Sequence, residues 1–131
     1  MSQDRDLEYF MGKLDPPYES KEDAQIGHML DDYGIPFFYK QATLVQDQGR
    51  RKVTHVDFSL PTYNGMVIDY IVDPNSSDYH NKKARYEQND IPAVLVTQEY
   101  LKSPTWRQDL YKKLEELYHR PPMYELFYKQ Q

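Results

Sequence analysis

The chain has 131 residues, 39% of them hydrophobic and 28% charged, which is enough for one domain with one modest core. It has no cysteine, which excludes a disulfide scaffold, a thiol nucleophile and a zinc–cysteine site, and no apolar run in it is long enough to cross a membrane. The formal net charge is −5, which argues against nonspecific wrapping of nucleic acid.

That charge is uneven. Residues 1–50 hold 10 acidic and 5 basic side chains, whereas residues 51–131 hold 11 of each, so a polyanion would meet the second half. The opening MSQDRDLEYF is acidic and polar, unlike a signal or transit peptide, and a soluble cytoplasmic protein is expected. Tyrosine is abundant, with 13 residues against 5 Phe and 1 Trp. Tyrosines fill a core while keeping a hydroxyl at its edge, and they also stack on bases.

Residues 1–17 read as a lead-in. Leu7, Phe10, Met11 and Leu14 fall at helical spacing before Pro16-Pro17. Ser20 opens a better helix, capping the amide of Asp23, with Glu22 and Asp23 at its positive end. Ile26, Met29, Leu30 and Tyr33 make its apolar side, and Gly34 and Pro36 end it. Phe37 to Val45 reads as a strand, residues 47–50 as a turn, and Lys52 to Leu60 as a second strand. Strict alternation puts Val53, His55 and Asp57 on one side of that strand and Thr54, Val56 and Phe58 on the other. Asn64-Gly65 is a tight-turn signal before a third, very apolar strand from Met66 to Val72. Asp78 to Asn89 reads as a helix carrying Lys82, Lys83 and Arg85. Ala93 to Thr97 has the apolar run of a strand at a sheet centre. Thr105 to His119 is a last helix with Trp106, Leu110, Leu114 and Leu117 in a stripe. Residues 121–131 form a tail whose alternation suits a strand or a loop. The expectation is an α/β domain over 18–120, of order (α)-α-β-β-β-α-β-α, with a mixed sheet of about four strands and helices on both faces.

Two acids stand out. Asp57 is late in the second strand and Asp69 lies inside MVIDYIV. A hairpin turning at residues 63–65 brings them together across the strand pair. An acid inside an apolar strand must be bonded, paired or metal-bound, and two close carboxylates need a cation or proton between them. Mg²⁺ takes such oxygen ligands, and Glu22 could add a third acid. Plainer readings stay open: Asp57 as a strand-end acid bonded into the loop before Pro61, Asp69 on a wet strand face, and Glu22 as a helix-start acid. The basic helix is a phosphate-contacting surface or a solvated face. Scattered glycines disfavour a phosphate-cradling loop.

The order of phrases resembles the PD-(D/E)XK nuclease superfamily, the restriction-endonuclease-like fold. It is similar above all to small endonuclease-like proteins related to very-short-patch-repair and transposase endonucleases. The phrases are Ser20-Lys21-Glu22 with Gly34-Ile35-Pro36, then Asp57-Phe58-Ser59-Leu60-Pro61, then Lys82-Lys83-Ala84-Arg85-Tyr86, then Asn89-Asp90-Ile91-Pro92. The resemblance spans roughly residues 18 to 101. It implies hydrolysis of DNA phosphodiester bonds with Mg²⁺ or Mn²⁺ held by Asp57 and Asp69, and by Glu22 as the helical acid. The position of the family's catalytic lysine falls on Ile71, which can neither carry charge nor orient a hydroxide. Lys82 or Lys83 would then serve from the helix, or the site is degenerate. The alternative is a non-catalytic module of the same fold that binds nucleic acid or protein. DNA through the Lys82–Arg85 helix, a protein partner or a homodimer are the expected partners.

Overall fold

The computed structural model describes residues 17–119. The lead-in helix over Leu7–Leu14 and the tail from Met123 lie outside these residues. Helix α1 is Lys21–Asp32, strand β1 Phe38–Asp47, β2 Arg50–Leu60, β3 Met66–Ile71, helix α2 Ser77–Gln88, strand β4 Ala93–Thr97, helix α3 Gln98–Lys102 and helix α4 Trp106–Tyr118. The four strands form one mixed sheet in the order β1-β2-β3-β4. The first three strands are an antiparallel meander, and β4 returns parallel to β3 after α2. This is an α/β topology whose element order follows the sequence reading, with the short α3 added between β4 and α4.

Local chemistry explains the boundaries. The Ser20 side chain accepts from the Asp23 amide at 3.0 Å and starts α1. Gly34, at φ +70, stops it, and the Ile35 amide returns to the Leu30 carbonyl at 2.8 Å. Gln48 and Gly49 both take positive φ between β1 and β2, as a two-residue hairpin turn requires. Ser76 and Thr97 cap α2 and α3 through the Tyr79 and Tyr100 amides.

The core has two layers. Ile26, Met29 and Leu30 of α1 and Leu110 and Leu114 of α4 pack with Phe58, Leu60, Met66, Ile68, Val94 and Val96 on one sheet face. On the other face, Tyr86 of α2 packs with Val56 and Val67. Helices therefore cover both faces.

The structure corrects the alternation expected for β2. Val56 and Phe58 are two residues apart, yet they belong to opposite faces of the sheet. The pleat changes phase at Asp57. Opposite it in the β1–β2 register, Lys40 takes φ +55, the left-handed region that costs a residue with a Cβ about 1 kcal/mol or more. Simple period-two reasoning fails where a backbone residue leaves the extended region.

The turn of α1 that faces the sheet is closely packed. A Cβ on the buried Gly27 would overlap the Tyr18 ring and hydroxyl. Alanine in an unhindered helix is better than glycine by about 1 kcal/mol. Gly27→Ala is predicted to reverse that sign and destabilise by about 1–3 kcal/mol. Urea unfolding monitored by circular dichroism measures it, and an unchanged or raised midpoint would refute the close packing.

Candidate functional site

The β2–β3 ladder is short: Leu60, Ser59 and Phe58 pair with Met66, Val67 and Ile68. Beyond Phe58 the strands splay, because β2 stays with β1 while β3 stays with β4. At the fork the two acids complete the bonding. The Asp57 amide donates to Asp69 Oδ1 at 2.7 Å. The Tyr70 amide donates to Asp57 Oδ2 at 2.8 Å. Each carboxylate thus takes a backbone N–H that the ladder no longer serves, which satisfies donors that would otherwise be buried unpaired.

The remaining oxygens meet two lysines. Lys40 Nζ lies 2.6 Å from Asp57 Oδ1 and 3.0 Å from Glu19 Oε1, so one ammonium bridges two carboxylates. Lys82 Nζ stands 3.8 Å from Asp69 Oδ2, and the Tyr86 hydroxyl donates to the same oxygen. Lys82 and Tyr86 are four apart on α2 and share a face. Asp23 of α1 completes the set: it is buried, and its Oδ2 accepts from the Tyr39 hydroxyl at 2.5 Å. That hydroxyl in turn accepts from the Glu19 amide at 2.9 Å.

The electrostatics follow from burial. Asp69 has no exposed surface, and burial raises its pKa above the usual aspartate value, against Lys82, the Asp57 amide and Tyr86, which lower it. Burial also raises Asp23, with the Tyr39 hydrogen bond opposing and Asp57 reinforcing. The Tyr39 phenol is pushed up to about 12 by burial and by its bond to Asp23. Burial works against the charge on Lys40, but its bonds to Asp57 and Glu19 outweigh that and raise its pKa. The Tyr86 phenol is raised by burial and by Asp69, so it remains a donor.

The structure thus brings Asp57, Asp69 and Lys82 together. Lys83 lies elsewhere: it lines a cleft of about 420 Å³ with Tyr79, Glu87, Ile91 and Tyr100. Glu22 is half-buried. The Tyr70 phenol is raised by burial first and then by the charges of Glu22 and Asp23. Its neighbour Asp23 is the α1 acid that turns inward. That was readable, because Asp23, Ile26, Gly27 and Leu30 fall at i, i+3, i+4 and i+7 and all are buried. Lys40 was not readable, since its place depends on a backbone kink that no pattern announces.

Among the described residues no three acid or imidazole side chains form a ready-made cation cage. Mg²⁺ does not need one; it takes one or two carboxylates and keeps its waters for substrate oxygens. The donor set suits such an ion in chemistry. It consists of hard carboxylate oxygens, and Glu19, Asp23, Asp57 and Asp69 against Lys40 and Lys82 leave it two positive charges short when all are ionised. Asp57 is the accessible ligand, once the one-third-exposed Lys40 side chain swings off Oδ1. Asp69 is sealed behind it, and would offer an oxygen only as Tyr86 or Lys82 gives way.

No protein-family model, no curated protein and no solved structure matches the chain. Among the described residues no helix is long and apolar enough to cross a membrane.

The raised Asp69 sets a pH signature. Between the unfolded aspartate pKa and the higher folded one, the folded state binds more protons, so stability falls as pH rises through that window. In Asp69→Asn this part of the fall is predicted to vanish, leaving a flatter stability profile as pH rises from about 4. Urea midpoints of the two proteins across that range measure it; parallel profiles would sink the assignment of a raised Asp69.

Proposed function

We propose that the chain is a restriction-endonuclease-like domain that hydrolyses DNA phosphodiester bonds, with a divalent cation held at Asp57 and Asp69. One observation carries this reading: Lys82 reaches Asp69 from α2. It supplies beside the acid pair the positive charge that Ile71, two residues along β3, cannot supply. The element order α1-β1-β2-β3-α2-β4 and the acids at the splay of β2 and β3 support the same reading.

A bound Mg²⁺ or Mn²⁺ supplies a water of lowered pKa and polarises the phosphate. The protein's own groups do the rest. Asp57 would offer Oδ1, the oxygen that Lys40 meets, with its other oxygen held by the Tyr70 amide. Asp69 fixes the Asp57 backbone through its amide and holds Lys82. Lys82 opposes the charge that builds on the phosphate oxygens, an effect strengthened by the low polarity around a buried acid. Tyr86 keeps Asp69 oriented.

A second reading has its own observation. All four oxygens of Asp57 and Asp69 already meet protein donors, which suits a non-catalytic binding module of the same fold whose cations are its own lysines.

One set of measurements separates the two. Under the nuclease reading, Mn²⁺ binds saturably, a plasmid is nicked only with Mg²⁺ or Mn²⁺, and Asp57→Asn abolishes both. Lys82→Ala is expected to slow cleavage about 10²–10³-fold while Mn²⁺ still binds. A wild-type protein that neither binds Mn²⁺ nor cuts would overturn the nuclease reading and leave the binding module.

A further inference from the structure

The β1–β2 hairpin runs past the rest of the sheet. Residues 50–57 of β2 have no partner in β3, whose ladder stops at Phe58, so residues 41–56 form a two-stranded ribbon. One side of the ribbon rests on α2. The Gln46 amide donates to Asn89 Oδ1 at 2.8 Å, Asn89 Nδ2 donates back to the Gln46 carbonyl at 3.0 Å, and Arg85 approaches Asp47 and Thr54. Among the described residues nothing covers the other side. Ala42 faces His55, Leu44 faces Val53 and Gln46 faces Arg51 in the register, and all six are exposed. Leu44 and Val53 are 55% and 58% exposed although they oppose each other as a hydrophobic pair.

The charge on this side is one-signed. It carries no carboxylate, and it leads to the consecutive Arg50, Arg51 and Lys52 at the tip. Arg50 and Arg51 form no ion pair among the described residues. The one acid at the tip, Asp47, lies on the α2 side, 3.6 Å from Lys52 and 3.8 Å from Arg85. A charged tip, flanking hydrogen-bonding groups and a central methyl-bearing pair have a known complement. The major groove of B-form DNA is about 12 Å wide and admits a two-stranded β-ribbon. There Arg bonds guanine edges, Gln bonds adenine edges, and apolar side chains meet the thymine methyl. The seven-residue arms span about 24 Å, about two-thirds of a helical turn of duplex.

We infer that the β1–β2 ribbon is a duplex-DNA arm that enters the major groove with its bare face, Arg51 and Gln46 toward base edges, Leu44 and Val53 toward methyl groups, and Arg50 and Lys52 on phosphates. The inference deepens the nuclease reading by naming its substrate as duplex DNA and the surface that holds it. It does not depend on cleavage. It also adds the hairpin to the Lys82–Arg85 helix as a surface for DNA.

The test is binding without chemistry. Fluorescence anisotropy in EDTA, with a mixed-sequence duplex about two turns long, compares the full-length wild type with Arg50→Ala, Arg51→Ala and Lys52→Ala together and with Leu44→Ser/Val53→Ser. The triple variant is expected to weaken binding at least 10-fold and to lower the slope of log affinity against log salt by about 2–3. The serine pair is expected to weaken it several-fold. All the substituted ribbon side chains are exposed, and an unchanged urea midpoint confirms that the variants fold. Absence of duplex binding by the wild type, or equal binding by the triple variant, overturns the arm. So does a wild-type dimer that Leu44→Ser/Val53→Ser turns into a monomer with DNA binding intact, which would make the bare face a contact between copies. Ribbon-dependent binding with no cleavage in Mn²⁺ would instead overturn the hydrolytic reading and keep the arm.

Discussion

Two carboxylates that exchange backbone amides hold this structure at its weakest point. Where β2 and β3 part, two strand amides lose their ladder partners inside the protein. Leaving such a group unpaired costs about 1–3 kcal/mol. Asp57 and Asp69 answer each other's strands at 2.7 and 2.8 Å, so the fork is closed by side chains rather than by more sheet. The consequence is electrostatic. Using ionisable groups for this job puts two negative charges side by side in the interior, and the rest of the site is a response to that. Lys40 and Lys82 approach one acid each, Tyr86 donates to Asp69, and the Asp69 proton affinity rises because the compensation is incomplete.

The phase change in β2 belongs to the same constraint. Val56 must face α2 and Phe58 must face α1 and α4, because each fills a different core layer. The strand can serve both only by turning between them, and the residue at the turn is Asp57. Its partner Lys40 absorbs the mismatch with a positive φ. The strain is offset by the contact it produces, since the same kink accompanies the Lys40 ammonium's place between Glu19 and Asp57.

The sequence carries the fold further than the site. Caps at Ser20, turn residues at Gln48-Gly49 and Asn64-Gly65, the apolar runs of β3 and β4, and the stripe of α4 are all local signals, and local chemistry decides those elements. The pair Asp57 and Asp69 was legible because a charged residue inside an apolar strand is anomalous on its own. Asp23 was legible from helical periodicity but was overshadowed by the more conspicuous Glu22. Lys40 and the reversal of faces at Asp57 were not legible. They depend on which core layer each half of β2 meets, a nonlocal fact. Lys83 and Lys82 are indistinguishable by type; only the rotation of α2 selects Lys82, and the burial of Tyr86 one turn later was the available clue.

That rotation explains how an isoleucine can stand at position 71. Residues 69 and 71 share a strand face, and in this chain Ile71 is 4% exposed. A lysine there would have to bury its ammonium unless it reached the acids, at a desolvation cost of several kcal/mol. Helix α2 crosses this face and presents Lys82 and Tyr86 one turn apart, so a cation and a hydroxyl arrive at the single oxygen Oδ2 of Asp69 from outside the sheet. Lys82 keeps about a fifth of its side chain in solvent, which a strand lysine at that depth would not. The charge beside the acid is therefore decoupled from strand packing. β3 can use every position on this face except 69 for apolar contact, while the charge of Asp69 is answered from the helix.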